Sequence, residues 1–238
     1  MLNVTWDSIE VFMKYLFYIF SIIALFNSMP ILANCYLDAL SSKETEYFRK
    51  NPKHASTLCS DAKNSSPYYC YINAVRSDLT KYFDQNREQA ISLCAGATSF
   101  NPINCFIKAV QSNETKFFDQ DRNKAILLCN RASSTIPYAC FIKAVQSNET
   151  KFFDQDRNKA ILLCNRASST IPYDCFIKAV QSNETKFFDQ ARNQAILLCN
   201  RAMSSEASHK CFIDLVRSNN YFDQNREQAV EYCKNTDM

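Results

Sequence analysis

The chain has 238 residues, 47% of them hydrophobic, with 27 Lys and Arg against 24 Asp and Glu, a net charge of +3. Charges this balanced, and interleaved rather than clustered, argue against a nucleic-acid surface. One glycine and two histidines rule out a glycine-rich phosphate loop and leave little for acid–base chemistry.

The first element is MKYLFYIFSIIALFNSMPILA, Met13 to Ala33. A lysine, an apolar stretch and a small residue at its end predict a secretory signal peptide, cleaved after Ala33. Residues 1–12, MLNVTWDSIEVF, are acidic and precede a second methionine, so the expected start of translation is Met13. An uncleaved membrane anchor is a competing reading. Lipid attachment at Cys35 is another; the asparagine in Leu32-Ala33-Asn34-Cys35 stands against it. Residues 1–33 hold Lys14 against Asp7 and Glu10, so 34–238 keeps 26 basic and 22 acidic residues, a net +4. No other apolar run there is long enough to span a bilayer.

From Cys35 onward the chain repeats itself. Cysteines stand at 35, 59, 70, 94, 105, 129, 140, 164, 175, 199, 211 and 233. Their spacing alternates 24 and 11 until the last unit, where it becomes 12 and 22. This marks six units: 35–69, 70–104, 105–139, 140–174, 175–210 and 211–238. Units three and four differ only at Ala139 and Asp174, which points to recent duplication. A period of this length predicts a solenoid, in which each unit buries its apolar face on its neighbours.

Within a unit the apolar residues follow a helical period. Cys140 and Ala144 share one face; Ala160 and Cys164 share another. Between them lies SNETKFFD, predicted as a turn, with Asp154 as N-cap of the second helix and Pro137 ahead of the first. An antiparallel hairpin closed near Phe152 sets the two cysteines level. The frame C-x-x-x-A…A-x-x-x-C puts small residues where the helices must approach closely. Two pairings respect the repeat. Pairing within units joins Cys35 with Cys59, Cys70 with Cys94, Cys105 with Cys129, Cys140 with Cys164, Cys175 with Cys199 and Cys211 with Cys233, and leaves nothing over. Pairing between units, as Cys59 with Cys70, strands Cys35 and Cys233. The first is preferred, because an unpaired thiol is a liability in an oxidising space.

The turn of every unit carries an aromatic pair, such as Phe152-Phe153. One ring is expected to plug the hairpin. The other, at Phe117, Phe152 and Phe187, is a candidate partner-binding stripe; the competing reading buries both between units. A recurring Asp–Arg pair, Asp154/Arg157 and its equivalents, reads as a first-turn ion pair rather than a ligand ladder. Beyond the expected leader, sequons stand at Asn64, Asn113, Asn148 and Asn183. His54 and His209 sit in opposite terminal units, so no catalytic residue, metal or cofactor is expected.

A 35-residue helical hairpin with small residues at the helix contact resembles the tetratricopeptide-like class, including its Sel-like branch. The class's tryptophan and Leu-Gly pair are missing, and the prolines fall between units. The resemblance implies a protein-binding scaffold. The expectation is therefore an all-α right-handed solenoid of six two-helix hairpins, one disulfide per hairpin. It is expected to be secreted or periplasmic and to bind a protein or peptide. A spacer without a partner is the alternative, and a hydrolase of envelope material the third reading.

Overall fold

The computed structural model describes residues 30–42, 46–112, 116–147, 151–182 and 186–234, with backbone alone for 30–33. Residues 1–29 of the expected leader and the sequon asparagines Asn113, Asn148 and Asn183 lie outside the described residues. Asn64 lies within them, in the loop before the second unit.

Every element among the described residues is helical. The first two units comprise α1 (Pro30–Ser41), α2 (Glu46–Lys50) and α3 (Pro52–Leu58), then α4 (Ser66–Arg76), α5 (Tyr82–Gln85) and α6 (Arg87–Cys94). Units three and four comprise α7 (Asn101–Gln111), α8 (Phe117–Gln120) and α9 (Arg122–Cys129), then α10 (Ile136–Gln146), α11 (Phe152–Gln155) and α12 (Arg157–Cys164). Units five and six comprise α13 (Ile171–Gln181), α14 (Phe187–Gln190) and α15 (Arg192–Cys199), then α16 (Ala207–Ser218), α17 (Asn220–Gln224) and α18 (Arg226–Cys233). The long first helix and the second helix of each unit form the expected hairpin, and successive hairpins stack as a solenoid.

The turn departs from expectation. It is itself a single turn of helix, followed by one extended residue. Asp154 therefore lies inside α11 and is not the N-cap of α12; Asp156 holds that position, with φ −135°, and makes no side-chain cap bond. The physical reason is the aromatic pair. Neighbouring residues on a helix diverge by about 100°, so one helical turn buries Phe153 fully while Phe152 stays half-buried. Pro137 is likewise not ahead of its helix but inside its first turn, among the N–H positions that have no intrahelical partner anyway. Upstream serines close these starts: Ser134 Oγ accepts from the Ile136 N–H at 3.1 Å, and Ser169 Oγ from the Ile171 N–H at 3.2 Å.

Six disulfides staple the hairpins. Cys35 is bonded to Cys59, Cys70 to Cys94, Cys105 to Cys129, Cys140 to Cys164, Cys175 to Cys199 and Cys211 to Cys233, with Cα–Cα distances of 5.6–5.7 Å. This is the within-unit pairing, and no described cysteine is left free. Ala144 and Ala160 beside the fourth bridge are fully buried, so the close helix approach follows from small side chains.

Units are linked by a left-handed residue two positions after the second cysteine: Asp61, Gly96, Arg131, Arg166 and Arg201, with φ from 58° to 67°. Such a conformation costs a non-glycine residue roughly 1–2 kcal/mol. Contacts to preceding units offset it. Asn130 Nδ2 donates to the Ser92 carbonyl at 2.5 Å, and Asn165 and Asn200 donate in the same way to Leu127 and Leu162. Arg131 Nε donates to the Ala95 carbonyl at 3.2 Å, and its guanidinium pairs with Asp61 at 3.0 Å, two units back. Gly96 lies between them. A Cβ there would come within 2.6 Å of Arg131 Nε, so the chain's single glycine is also what lets the arginine pass.

Candidate functional site

The aromatic ladder joins one unit to the next. Phe153 packs on Phe176 of the next unit with ring centroids 4.6 Å apart, and Phe152 stacks on the same ring at 5.8 Å and 13°. Phe117 lies over Phe141 at 5.9 Å, and Phe187 over Phe212 at 5.7 Å. Cations cover the candidate stripe as well. Lys124 and Arg157 sit over Phe117, Lys159 and Arg192 over Phe152, and Arg226 over Phe187, at 4.5–5.9 Å. Phe117, Phe152 and Phe187 are thus half-buried and engaged between units, with little ring surface left for a partner.

The Asp–Arg pairs are ion pairs three residues apart, at 2.6–3.5 Å in all five units that carry them. They bridge the one-turn helix to the second helix. The histidines do not meet. His54 Nδ1 and the Tyr47 hydroxyl share a 2.6 Å hydrogen bond in unit one, while His209 packs 6.2 Å from Phe188 at the junction of units five and six. Among the described residues no cluster of three His, Cys, Asp or Glu side chains converges on a point.

Another surface is better built for binding. Leu127, Leu162 and Leu197 occupy one register on α9, α12 and α15, the second helices of units three to five. They are 52%, 54% and 50% exposed. They line a groove of about 850 Å³ that also takes in Asn165, Asn193, Asn200, Lys159, Arg201 and Lys234. No carboxylate lines it, although Lys159 and Lys234 at its rim pair with Asp156 and Glu231 just outside. Three apolar side chains in register, rimmed by amides and cations, match a ligand with apolar side chains and negative charge.

The arginines behind the groove carry an electrostatic tension. Partial burial, then the neighbouring Arg201 and Arg131, push the pKa of Arg166 below the usual guanidinium range. Its guanidinium donates to Asn130 Oδ1 at 3.1 Å, a neutral partner.

Sequence reasoning passed over this groove. Its signal was present: the second helix reads A-I-L-L-C, where Ile161 and Leu163 are buried and Leu162 between them is half exposed. A run of apolar residues conceals which one faces outward. Comparison with family models, with curated proteins and with solved structures finds no match to this chain.

Proposed function

We propose that this chain is an exported binding scaffold that takes a segment of a partner protein along the second helices of units three to five. The observation that carries the reading is the register of Leu127, Leu162 and Leu197 in a groove rimmed by Lys159, Arg201 and Lys234. Apolar side chains left half in water at the same place in three successive units form an exposed patch of the kind that marks an interaction site. The charged rim favours an acidic segment. Six disulfides suggest an oxidising compartment, and no helix among the described residues is long and apolar enough to cross a membrane. Secretion or delivery to the periplasm through the Met13–Ala33 leader, and kinship with the tetratricopeptide-like class, are part of the same reading.

The test is capture from the fluid of the compartment the chain is exported to. Three forms serve as bait: the oxidised protein, the reduced and alkylated protein, and an oxidised Leu127→Asp/Leu162→Asp/Leu197→Asp variant. The expected result is a partner held by the first and lost by the other two, with binding weakened by salt. A partner retained by the triple variant would place the site elsewhere. The spacer role is the second reading. It is favoured by the aromatic ladder, which spends Phe117, Phe152 and Phe187 on joining units, and it predicts no partner for any form.

A further inference from the structure

The joint between units is one contact made five times. The aromatic pair of each unit receives the ring that follows the first cysteine of the next: Tyr71, Phe106, Phe141, Phe176 and Phe212 in turn. Centroid distances to the second member of the pair are 4.6–4.7 Å throughout. Among the described residues, two halves of this contact remain without a counterpart. At one end the pair Tyr221-Phe222 receives no such ring, and Phe222 meets Tyr232 of its own unit at 6.2 Å instead. At the other, Tyr36 follows the first cysteine of unit one and meets no aromatic pair among the described residues.

Both ends carry the marks of an unmade joint. Phe48, Phe83, Phe118, Phe153 and Phe188 are fully buried, but Phe222 is only half-buried and Tyr221 is 55% exposed. Tyr232 is 67% exposed, at the register where Leu58, Leu93, Leu128, Leu163 and Leu198 are fully buried. Tyr36 is half-buried where its five equivalents are buried. Terminal units of a solenoid ordinarily turn a polar face outward; unit six turns out three aromatic rings.

We propose that the chain self-associates head to tail, with Tyr36 of a second copy seated on Tyr221 and Phe222. Its chemistry repeats the first internal joint, where Tyr47 and Phe48 receive Tyr71 at 6.5 and 4.7 Å. The contact joins unlike surfaces and does not close, so it propagates into a filament in solenoid register. It is weaker than an internal joint for two reasons. Arg87 lies over Tyr47 at 5.4 Å in the first internal joint, whereas unit one offers Pro52 at that register. Tyr138 and Tyr173 add a second ring against Phe118 and Phe153, whereas unit one has Ala33, at the expected cleavage boundary. No covalent link ties the copies, so association is reversible and depends on concentration.

The test is sedimentation velocity of the oxidised chain recovered from a host that exports it, run from low to high micromolar concentration. The expected result is a mass that climbs with concentration through dimer and beyond. Tyr36→Asp and Tyr221→Asp each remove one end, so each variant alone stays monomeric. An equal mixture of the two forms dimers and nothing larger, because each variant keeps one intact end. Tyr232→Glu, on a side chain 67% exposed whose ring meets Phe222 of its own unit at 6.2 Å, weakens association by about tenfold or more. Matching helicity and intact disulfides in every variant exclude misfolding as the cause. Wild-type protein that stays monomeric overturns the proposal. Loss in Tyr221→Asp with full retention in Tyr36→Asp also overturns it, because that pattern belongs to a symmetric pairing of two sixth units.

Discussion

Units one, two and six close their turns differently from units three and four. In the outer set a tyrosine hydroxyl meets a side chain seven residues on: His54 at 2.6 Å from Tyr47, Gln89 from Tyr82, and Gln228 at 2.5 Å from Tyr221. An asparagine, Asn51, Asn86 or Asn225, donates back to that tyrosine's carbonyl at 2.8–3.0 Å. Units three and four replace all three residues together, with Phe117, Asp121 and Lys124, then Phe152, Asp156 and Lys159. There the aspartate pairs with the lysine at 3.5–3.6 Å, and the ammonium sits 4.5–4.6 Å from the phenyl centroid. A hydroxyl on a half-buried ring needs a partner; a bare phenyl face accepts a cation instead. The lesson is that these three positions act as one set, and that the inner units exchange a neutral hydrogen-bonded set for an aspartate–lysine pair of no net charge.

The position of a unit within the array governs the largest expected effect. Phe153→Ala, between two units, should cost about 3–5 kcal/mol. Phe222→Ala, on the open end, should cost less than about 2 kcal/mol, because part of its ring is already in water. Denaturant melts at matched, low protein concentration measure both, and equal losses would break the distinction between inner and end joints. Removing one staple with Cys140→Ala/Cys164→Ala should cost roughly 3–4 kcal/mol in the chain-entropy picture. The same change at Cys211 and Cys233 should instead produce an early, separate melting of the last unit, visible by hydrogen exchange.

Smaller effects sharpen the comparison. Gly96→Ala meets both a left-handed backbone and the Arg131 guanidinium, and should cost about 1–2 kcal/mol in a thermal or denaturant melt. Lys159→Gln alone strips one cation from Phe152 and one partner from Asp156, a loss of about 0.5–1 kcal/mol. The triple change Phe152→Tyr/Asp156→Asn/Lys159→Gln installs the outer set whole, and should recover that loss. A triple variant as unstable as the single one would show that the three positions are not coupled.

Tyr71 provides a pH handle on the first joint. Burial pushes its pKa up to about 12. A folded-state value above the unfolded value of about 10 leaves stability unaffected below pH 10 and erodes it as pH rises from about 10 to 12. Tyr71→Phe copies the residue that units three to six use at this register. It should be nearly neutral at pH 7 and flatten the alkaline loss, measured in short melts before the disulfides exchange.

Much of the array was legible before any coordinates. The alternation of 24 and 11, with alanine four residues inside every cysteine except Cys211, where Leu215 stands, predicted hairpins and favoured pairing within each, because helix geometry ties sequence distance to which side chains lie level. The one-turn helix was missed for a local reason. SNETKFFD is rich in residues that favour turns, and only the burial of Phe153 next to a half-buried Phe152 requires a helical step there. Arg131, Arg166 and Arg201 were missed because nothing in the sequence marks a left-handed arginine. Contacts to preceding units surround them: Arg131 reaches the Ala95 carbonyl and Asp61, Arg166 reaches Asn130, and Asn200 beside Arg201 donates to the Leu162 carbonyl.

By itself the sequence determined what depends on spacing along the chain: an all-α fold, six units, two cysteines in each with pairing inside the unit preferred, and an aromatic pair at each turn. Tertiary structure decided what depends on the neighbouring unit. It turned Phe117, Phe152 and Phe187 from a prospective stripe into rungs between units, left Leu127, Leu162 and Leu197 in water, and left the rings of Tyr36 and Tyr221 without their counterparts. Periodicity places a residue on a face of its own helix; only the stacking of one helix on the next decides whether that face is covered.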